Sequence, residues 1–307
     1  MARYTARRLL QLLPVFFGAT FLIYAMVFAI PGDPIRALFG DRPVSPATVA
    51  ALREQYNLND PLLVQYGKYI VNVFQGDLGE SFRGRSVVDI LSERFPVTLT
   101  LAVFAFVFEI ILGLLAGVLA GLRRGSYMDS LVLVSTTAVI SVPVFVLGYT
   151  AQILFGIELN WLPIAGLRQG AVSYVLPAFV LGSLGLAYTA RLTRTSLVEN
   201  LRADYIRTAT AKGMSRRRVV GRHALRNSLI PVVTYLGVDL GSLMAGAIIT
   251  EGIFNIPGVG RAVFEAVRAQ ENTVVVGIVT VLVIVFMLSN LLVDMLYAYL
   301  DPRIRYE

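Results

Sequence analysis

The chain has 307 residues, of which 56% are hydrophobic and 15% charged, with a net charge of +7 and no cysteine. A soluble domain of this size carries nearer a quarter charged residues. The lack of cysteine excludes disulfides, thiolate metal sites and thiol catalysis, and leaves the compartment open. The basic excess does not point to nucleic acid, because it gathers at alternate ends of apolar blocks, as membrane topology requires.

Six such blocks stand out, at residues 9–30, 98–120, 130–157, 174–192, 229–250 and 273–298. About 20 apolar residues are needed for a helix to cross a bilayer. Each block must be helical, because hydrocarbon offers no partner for backbone polar groups. The first follows Arg7-Arg8, like a signal peptide, but it is too long for a typical h-region and lacks an A-x-A cleavage site. It reads as a retained first span that closes on the turn Ile30-Pro31-Gly32-Asp33-Pro34.

With Arg3, Arg7 and Arg8 inside, the remaining topology follows. Residues 31–97 lie outside with seven Lys/Arg and eight Asp/Glu, and residues 121–129 lie inside with Arg123-Arg124. Residues 158–173 and 251–272 are outside. Residues 193–228 and the C-terminus, with Arg303 and Arg305, are inside. No outside segment is net positive, so the N- and C-termini are expected in the cytoplasm.

The outer segment 31–97 has helical patterning of its own. Ser45 suits the N-cap of a short helix over 46–56 carrying Ala47, Val49, Ala50, Leu52 and Arg53. Leu58-Asn59-Asp60-Pro61 makes a turn. In residues 62–74 the apolar side chains Leu62, Leu63, Tyr66, Tyr69, Ile70, Val73 and Phe74 follow helical spacing. A third amphipathic piece, 87–95, leads into the second span. A structured loop of this length is expected to dock a partner or gate an entrance rather than only shield helix ends.

Enzyme signatures are missing. The sequence contains neither G-x-x-x-x-G-K-[ST] nor H-E-x-x-H, and its single histidine, His223, lies in the basic loop without a ligand partner nearby. Gly258-Val259-Gly260 lacks the strand–turn–helix setting of a dinucleotide site. No catalytic residue and no metal site is expected.

The basic loop 199–227 holds eight Lys/Arg (Arg202, Arg207, Lys212, Arg216, Arg217, Arg218, Arg222, Arg226) against Glu199 and Asp204. Residues 204–213 read as one amphipathic helix. Ala209 and Ala211 are small enough for a partner to approach, and Gly213 suits a left-handed C-cap. Ser215 suits the N-cap of a second helix through Asn227. Pro231 then falls near the start of the fifth span. A plain anionic-lipid contact is the simpler use of such a loop.

In these residues the chain resembles the permease subunits of ABC importers, in the dipeptide/oligopeptide (DppB/OppB-like) branch of the binding-protein-dependent transport family. The general coupling motif is EAA-x3-G-x9-I-x-L-P. Here it aligns as Arg207-Thr208-Ala209, Gly213 and His223-Ala224-Leu225. The Glu and first Ala are therefore replaced, and Arg226 stands where Pro would be. The peptide branch looks closer, with D-Y-x-R-T-A-x-A-K-G matched by Asp204, Tyr205, Arg207, Thr208, Ala209, Ala211, Lys212 and Gly213, and H-A-L-R-N-x-L-I-P matched by His223 to Pro231. The opening through Ile30-Pro31-Gly32-Asp33-Pro34 also looks like that family. So do Gly76-Asp77-Leu78-Gly79-Glu80-Ser81, the stretch from Thr250 and Glu251 through Phe254, Pro257 and Gly258 to Gly260, and the ending Leu300-Asp301-Pro302-Arg303.

The resemblance implies an all-α integral membrane protein with six transmembrane helices, the type I ABC importer permease fold, and a partly helical extracytoplasmic loop after the first helix. It implies the organisation 1–30 (N-terminus and first helix), 31–97 (outer loop subdomain) and 98–307 (five-helix permease core with the coupling loop 193–228). The eight residues from Asp204 to Gly213 named above would couple to an ATPase. Glu251, Phe254, Pro257 and Gly258 would form an outer loop or gate. A homologous second permease, two cytoplasmic ATPase subunits and an extracytoplasmic solute-binding protein would be the partners, in a bacterial inner membrane. This chain would be non-catalytic, with no cofactor of its own and with ATP and Mg in the ATPases. The cargo would be dipeptides or oligopeptides, with nickel chelates, glutathione or haem as the alternatives within the family.

Three acids fall inside spans, where an ionised carboxylate costs ~2.5–3.5 kcal/mol at a helix centre. Asp294 shares a helix face with Asn290 and is expected to anchor an interface. Glu109, among phenylalanines, is expected to pack against another helix. Asp239, beside Gly237, Gly241 and Ser242, is expected with Ser242 to face the pathway and to accommodate a cationic group. A secondary transporter or channel is the rival reading, but no inverted repeat or dense charge relay supports it. A structural scaffold leaves the helix–Gly–helix loop without a purpose.

Overall fold

The computed structural model describes residues 2–29, 35 and 44–300. The turn expected at residues 30–34 and the C-terminal Arg303 and Arg305 lie outside the described residues, as does the side chain of Asp294. Among the described residues all regular elements are helical, apart from an isolated bridge between Glu80 and Ser86.

The helices in chain order are α1 (Ala2–Ala29), α2 (Pro46–Gln55), α3 (Leu62–Phe74), α4 (Val87–Leu122), α5 (Tyr127–Ser141), α6 (Val144–Ala151), α7 (Val172–Leu201), α8 (Asp204–Ala211), α9 (Arg226–Ile253), α10 (Val259–Arg268) and α11 (Asn272–Leu300). A π-helical turn, Gln152–Glu158, continues α6. A second one, Val219–Leu225, joins the short turn Arg216–Arg218 to α9. Five helices are long and apolar enough to cross a membrane, and a bent pair of helices supplies a sixth candidate.

That bent pair corrects the expectation of one continuous span over 130–157. Tyr127–Ser141 and Val144–Glu158 are bent by 108° from a common line. Pro143 is the cause: it lacks an N–H and its ring disfavours the helical region for the residue before it. Val142 is accordingly extended, at φ −103 and ψ 128, and Pro143 becomes the N-cap of α6.

The lead-in at 87–95 runs into the second span without a break, as α4. The amphipathic piece 87–95 and the span at 98–120 are one 36-residue helix, with Pro96 inside it. At 1.5 Å per residue it is about 54 Å long, longer than a hydrocarbon core of about 30 Å. Similarly, α7 does not stop near residue 192 but runs to Leu201.

The chain divides into two compact units, residues 1–98 with 257–291, and 99–256 with 292–307. In the first, the buried core is built from Leu78, Val87, Leu91, Val259, Ala262, Val263, Val274, Val275 and Ile278 and their neighbours. Thr98 Oγ1 accepts the Val259 N–H at 2.8 Å, which satisfies an orphan donor at the start of α10. α3 is tied down by tyrosines. Tyr66 hydroxyl pairs with Thr20 Oγ1 at 2.9 Å, and Tyr69 hydroxyl lies 2.7 Å from Thr280 Oγ1. Burial pushes the Tyr69 phenol up to about 12, while the bond to Thr280 pulls the other way. Ser45 caps α2 as expected, accepting from Thr48 N–H at 3.1 Å.

In the second unit α7 is the centre. Its buried residues include Leu176, Ala178, Val180, Leu181, Gly182, Gly185, Ala187, Thr189 and Ala190. Small residues let α4 approach it closely. A Cβ on Gly182 would lie 2.7 Å from the Ala105 carbonyl oxygen, so only glycine fits there.

Candidate functional site

The basic loop forms a compact helical corner. α8 starts at Asp204 and buries Ile206 and Ala209 against Leu197, Val219 and Ala224, with Leu201 and Met214 alongside. Its end is a Schellman motif. Gly213 sits at φ +78, its N–H donates to Thr210 O at 2.9 Å, and the Met214 N–H reaches Ala209 O at 3.3 Å. The helix stops at the glycine, and the chain turns back over its own inner face.

The face left open is polar. Asp204, Tyr205, Arg207, Thr208, Ala211 and Lys212 are exposed, as are all eight Lys/Arg of the loop. Arg207 reaches Asp204 at only 3.4 Å, with both side chains largely in solvent, a pairing worth little. Both charges remain available to a partner. One site expectation changes here. Of the two small residues meant to admit a partner, only Ala211 faces outward, because Ala209 is 7% exposed and lies in the chain's own core. The hydrophobic spacing Ile206–Ala209 carried that signal, an i, i+3 pair on an otherwise polar helix.

The loop's second helix also differs from expectation. Ser215 has N-cap backbone geometry but makes no side-chain cap bond. Beyond it the backbone does not end near Asn227 but passes through the π-helical turn into α9, with Pro231 inside that helix. His223 lies within this turn with Nε2 buried and without a hydrogen-bond partner.

An ion pair at the start of the α5 segment was not read from the sequence. Arg194 Nε and Nη2 hold Asp129 Oδ1 and Oδ2 at 2.9 and 2.8 Å, and Gly125 N–H adds a third bond to Oδ2 at 2.9 Å. One acid at the head of an apolar block and one arginine at the tail of another were the available signals.

The intramembrane acids Glu109 and Asp239 come together. Glu109 is fully buried and accepts from Thr189 hydroxyl at 2.9 Å; Tyr235 hydroxyl lies 3.4 Å from Asp239 Oδ1. Ser242, the other pathway candidate, is exposed. Of the gate candidates, Glu251 and Phe254, both fully buried, fall in the second unit, and Pro257 and Gly258 in the first. Phe254 is held by its carbonyl, which accepts from Gly166 N–H at 2.9 Å. Gly258 is the N-cap residue of α10.

With only helical regular elements, five apolar helices and a bent pair long enough to cross a bilayer among the described residues, the chain is a multi-pass membrane protein of the importer-permease class. It belongs to the family of binding-protein-dependent transport system inner membrane components, whose model matches residues 109–306, and whose N-terminal companion model matches residues 1–102. It is 41% identical over 336 residues to the di/tripeptide transport system permease protein DppB of Pseudomonas aeruginosa. It is 38% identical over 338 residues to the dipeptide permease DppB of Escherichia coli, and 40% over 309 to the glutathione permease GsiC of Escherichia coli. Each of these alignments covers 100% of both chains. Inward-facing crystal structures of the methionine ABC transporter MetNI share the fold, with a TM-score of 0.57 at 18% identity over 69% of this chain and 96% of that one, and 0.58 in a second crystal form.

Proposed function

We propose that this chain is the membrane-spanning half of an ABC importer's pathway for dipeptides or oligopeptides, and that α8 is the point at which ATP-driven motion enters it. The observation that carries the coupling role is the two-sidedness of α8. Ile206 and Ala209 fasten it to the chain's own helices, while Tyr205, Arg207, Thr208, Ala211 and Lys212 face away. A helix held on one side and open on the other passes a push on its open side to the helices behind it. The occupant of that open face is an ATPase subunit, one of two, which bind the ATP and Mg. This chain itself is non-catalytic and holds no cofactor.

The peptide cargo rests on the full-length likeness to dipeptide and di/tripeptide permeases. A homologous second permease completes the pathway, and an extracytoplasmic binding protein supplies it, with the segment 31–97 on that side and both termini in the cytoplasm of a bacterial cell. Asp239 and Ser242 lie at the pathway, and Glu251, Phe254, Pro257 and Gly258 at its outer end. The test is uptake of labelled di- and tripeptides and of glutathione by cells lacking this chain, with and without complementation. Uptake of peptides restored by the wild type but not by Ala211→Trp, with the ATPases still attached, is the expected result. Restoration of glutathione uptake alone would replace the peptide cargo.

A further inference from the structure

Two carboxyl oxygens in the second unit have no donor. Glu109 Oε2 on α4 and Asp239 Oδ2 on α9 are both buried and without a hydrogen-bond partner. They converge on one spot of α7. A Cβ placed on Gly185 would meet Glu109 Oε2 at 2.6 Å and Asp239 Oδ2 at 2.9 Å, so the two groups occupy the space that glycine leaves open. Both oxygens thus lie within 2.9 Å of one point beside α7.

Among the described residues, the surroundings contribute hydroxyls and no positive charge. α7 presents Thr189, which donates to Glu109 Oε1, and Tyr188, whose ring lies 6.0 Å from that of Tyr235. α9 presents Tyr235, whose hydroxyl is 3.4 Å from Asp239 Oδ1. Among the described residues neither acid takes part in an ion pair, and neither has another side-chain hydrogen bond. Ionised carboxylates are acceptor-only. Two of them side by side in a buried site repel, as like charges do in any shared carboxylate dyad. A hydrogen on one of the facing oxygens removes one charge, supplies the missing donor and satisfies both orphan atoms at once.

We propose that Glu109 and Asp239 together bind one proton, forming a protonation site within the membrane-spanning part of this chain that ties α4 to α9 across Gly185. The ligand is a proton, and the site does not depend on which solute the transporter carries. When the proton is bound the pair is a hydrogen-bonded carboxylic acid–carboxylate bridge. When alkaline medium removes it, the bridge becomes two adjacent anions and the contact between the helices weakens.

The test uses the complete purified transporter and two readouts that require no substrate. The first is the infrared band of a protonated carboxyl group, followed from neutral to alkaline pH. In the wild type the band is expected at neutral pH and is lost on raising the pH. In Glu109→Gln and in Asp239→Asn it is absent throughout, because the amide donates in place of the proton. The second is the thermal unfolding midpoint over the same pH range, which is expected to drop for the wild type and to stay level for Glu109→Gln. Thr189→Val keeps both acids and should retain the band at a shifted frequency, which assigns it to the Glu109 side even if an amide variant fails to assemble. No titrating band in the wild type, or a band that survives either amide substitution or ignores Thr189→Val, overturns the proposal.

Discussion

Arg194 grips Asp129 with a two-pronged fork, Nε on Oδ1 and Nη2 on Oδ2, joining the tail of α7 to the head of α5. Asp129 is almost wholly buried and Arg194 mostly so, with side chains 4% and 20% exposed. Desolvation makes such a pair a poor source of net stability, but a costly thing to break. Arg194→Ala should therefore destabilise by about 3–5 kcal/mol, read as a drop in the unfolding midpoint of the purified chain. Arg194→Lys should recover only part of the loss, since an ammonium does not reproduce the planar fork. The double change Asp129→Leu with Arg194→Met should be closer to the wild type than Arg194→Ala alone. A double variant as unstable as Arg194→Ala would show that the loss is one of packing rather than of an uncompensated charge.

The two alanines of α8 separate folding from partner binding. Ala209 is packed against the chain's own core and Ala211 is exposed. Ala209→Trp overfills that core and should cost about 1–3 kcal/mol, lowering the amount of assembled chain. Ala211→Trp should leave the unfolding midpoint unchanged within about 0.5 kcal/mol and still suppress substrate-stimulated ATP hydrolysis. Unimpaired ATPase stimulation in a well-folded Ala211→Trp transporter would remove α8 as the coupling surface.

Gly213 ends α8 at φ +78, where a side chain is strained. Gly213→Ala should cost about 1–2 kcal/mol, and Gly213→Val more, because a β-branched residue is a genuine outlier at positive φ. Amide hydrogen exchange is expected to speed up first at Gly213 and Met214, whose N–H groups make the two closing bonds. Gly213→Asn should be the mildest change, since asparagine tolerates the left-handed region. Equal exchange in Gly213→Val and the wild type would show that the stop is imposed by the packing of Met214 and not by the glycine.

Much of this architecture was legible because it follows from local rules. Apolar blocks of about 20 residues must be helical in a bilayer, and Ser45 and Gly213 carry cap chemistry that acts within a few residues. The misreadings came where local rules compete. Pro143 and Pro96 are both prolines in apolar runs, yet the first bends the chain by 108° and the second is carried inside α4. Nothing local distinguishes them. The inward turn of Ala209 left a local trace in its i, i+3 spacing from Ile206, but the residues that cover it, Leu197 of α7 and Ala224, come from elsewhere in the chain. The meeting of Glu109 with Asp239, 130 residues apart in the chain, depends on where α4 and α9 lie against α7. Each acid announced itself as unusual at mid-span, and the packing alone made them a pair.

Two glycines make opposite predictions for the same substitution. At Gly67, in the interior of α3, an added Cβ meets nothing within 4 Å, and the residue is exposed. Gly67→Ala should then gain the helix-propensity difference, up to ~1 kcal/mol, because alanine loses less backbone freedom on folding. At Gly182, in the buried centre of α7, the same Cβ would lie 2.7 Å from Ala105 O and 3.2 Å from its carbonyl carbon. Backbone cannot rotate out of the way as a side chain can, so α4 and α7 must move apart. Gly182→Ala should cost about 1–3 kcal/mol, and the gap should also weaken the contacts that Thr189 makes with Glu109 one to two turns further along. Unfolding midpoints of the two variants should therefore move in opposite directions from the wild type. A neutral Gly182→Ala would mean that the α4–α7 crossing is looser than a helix packed through small residues requires.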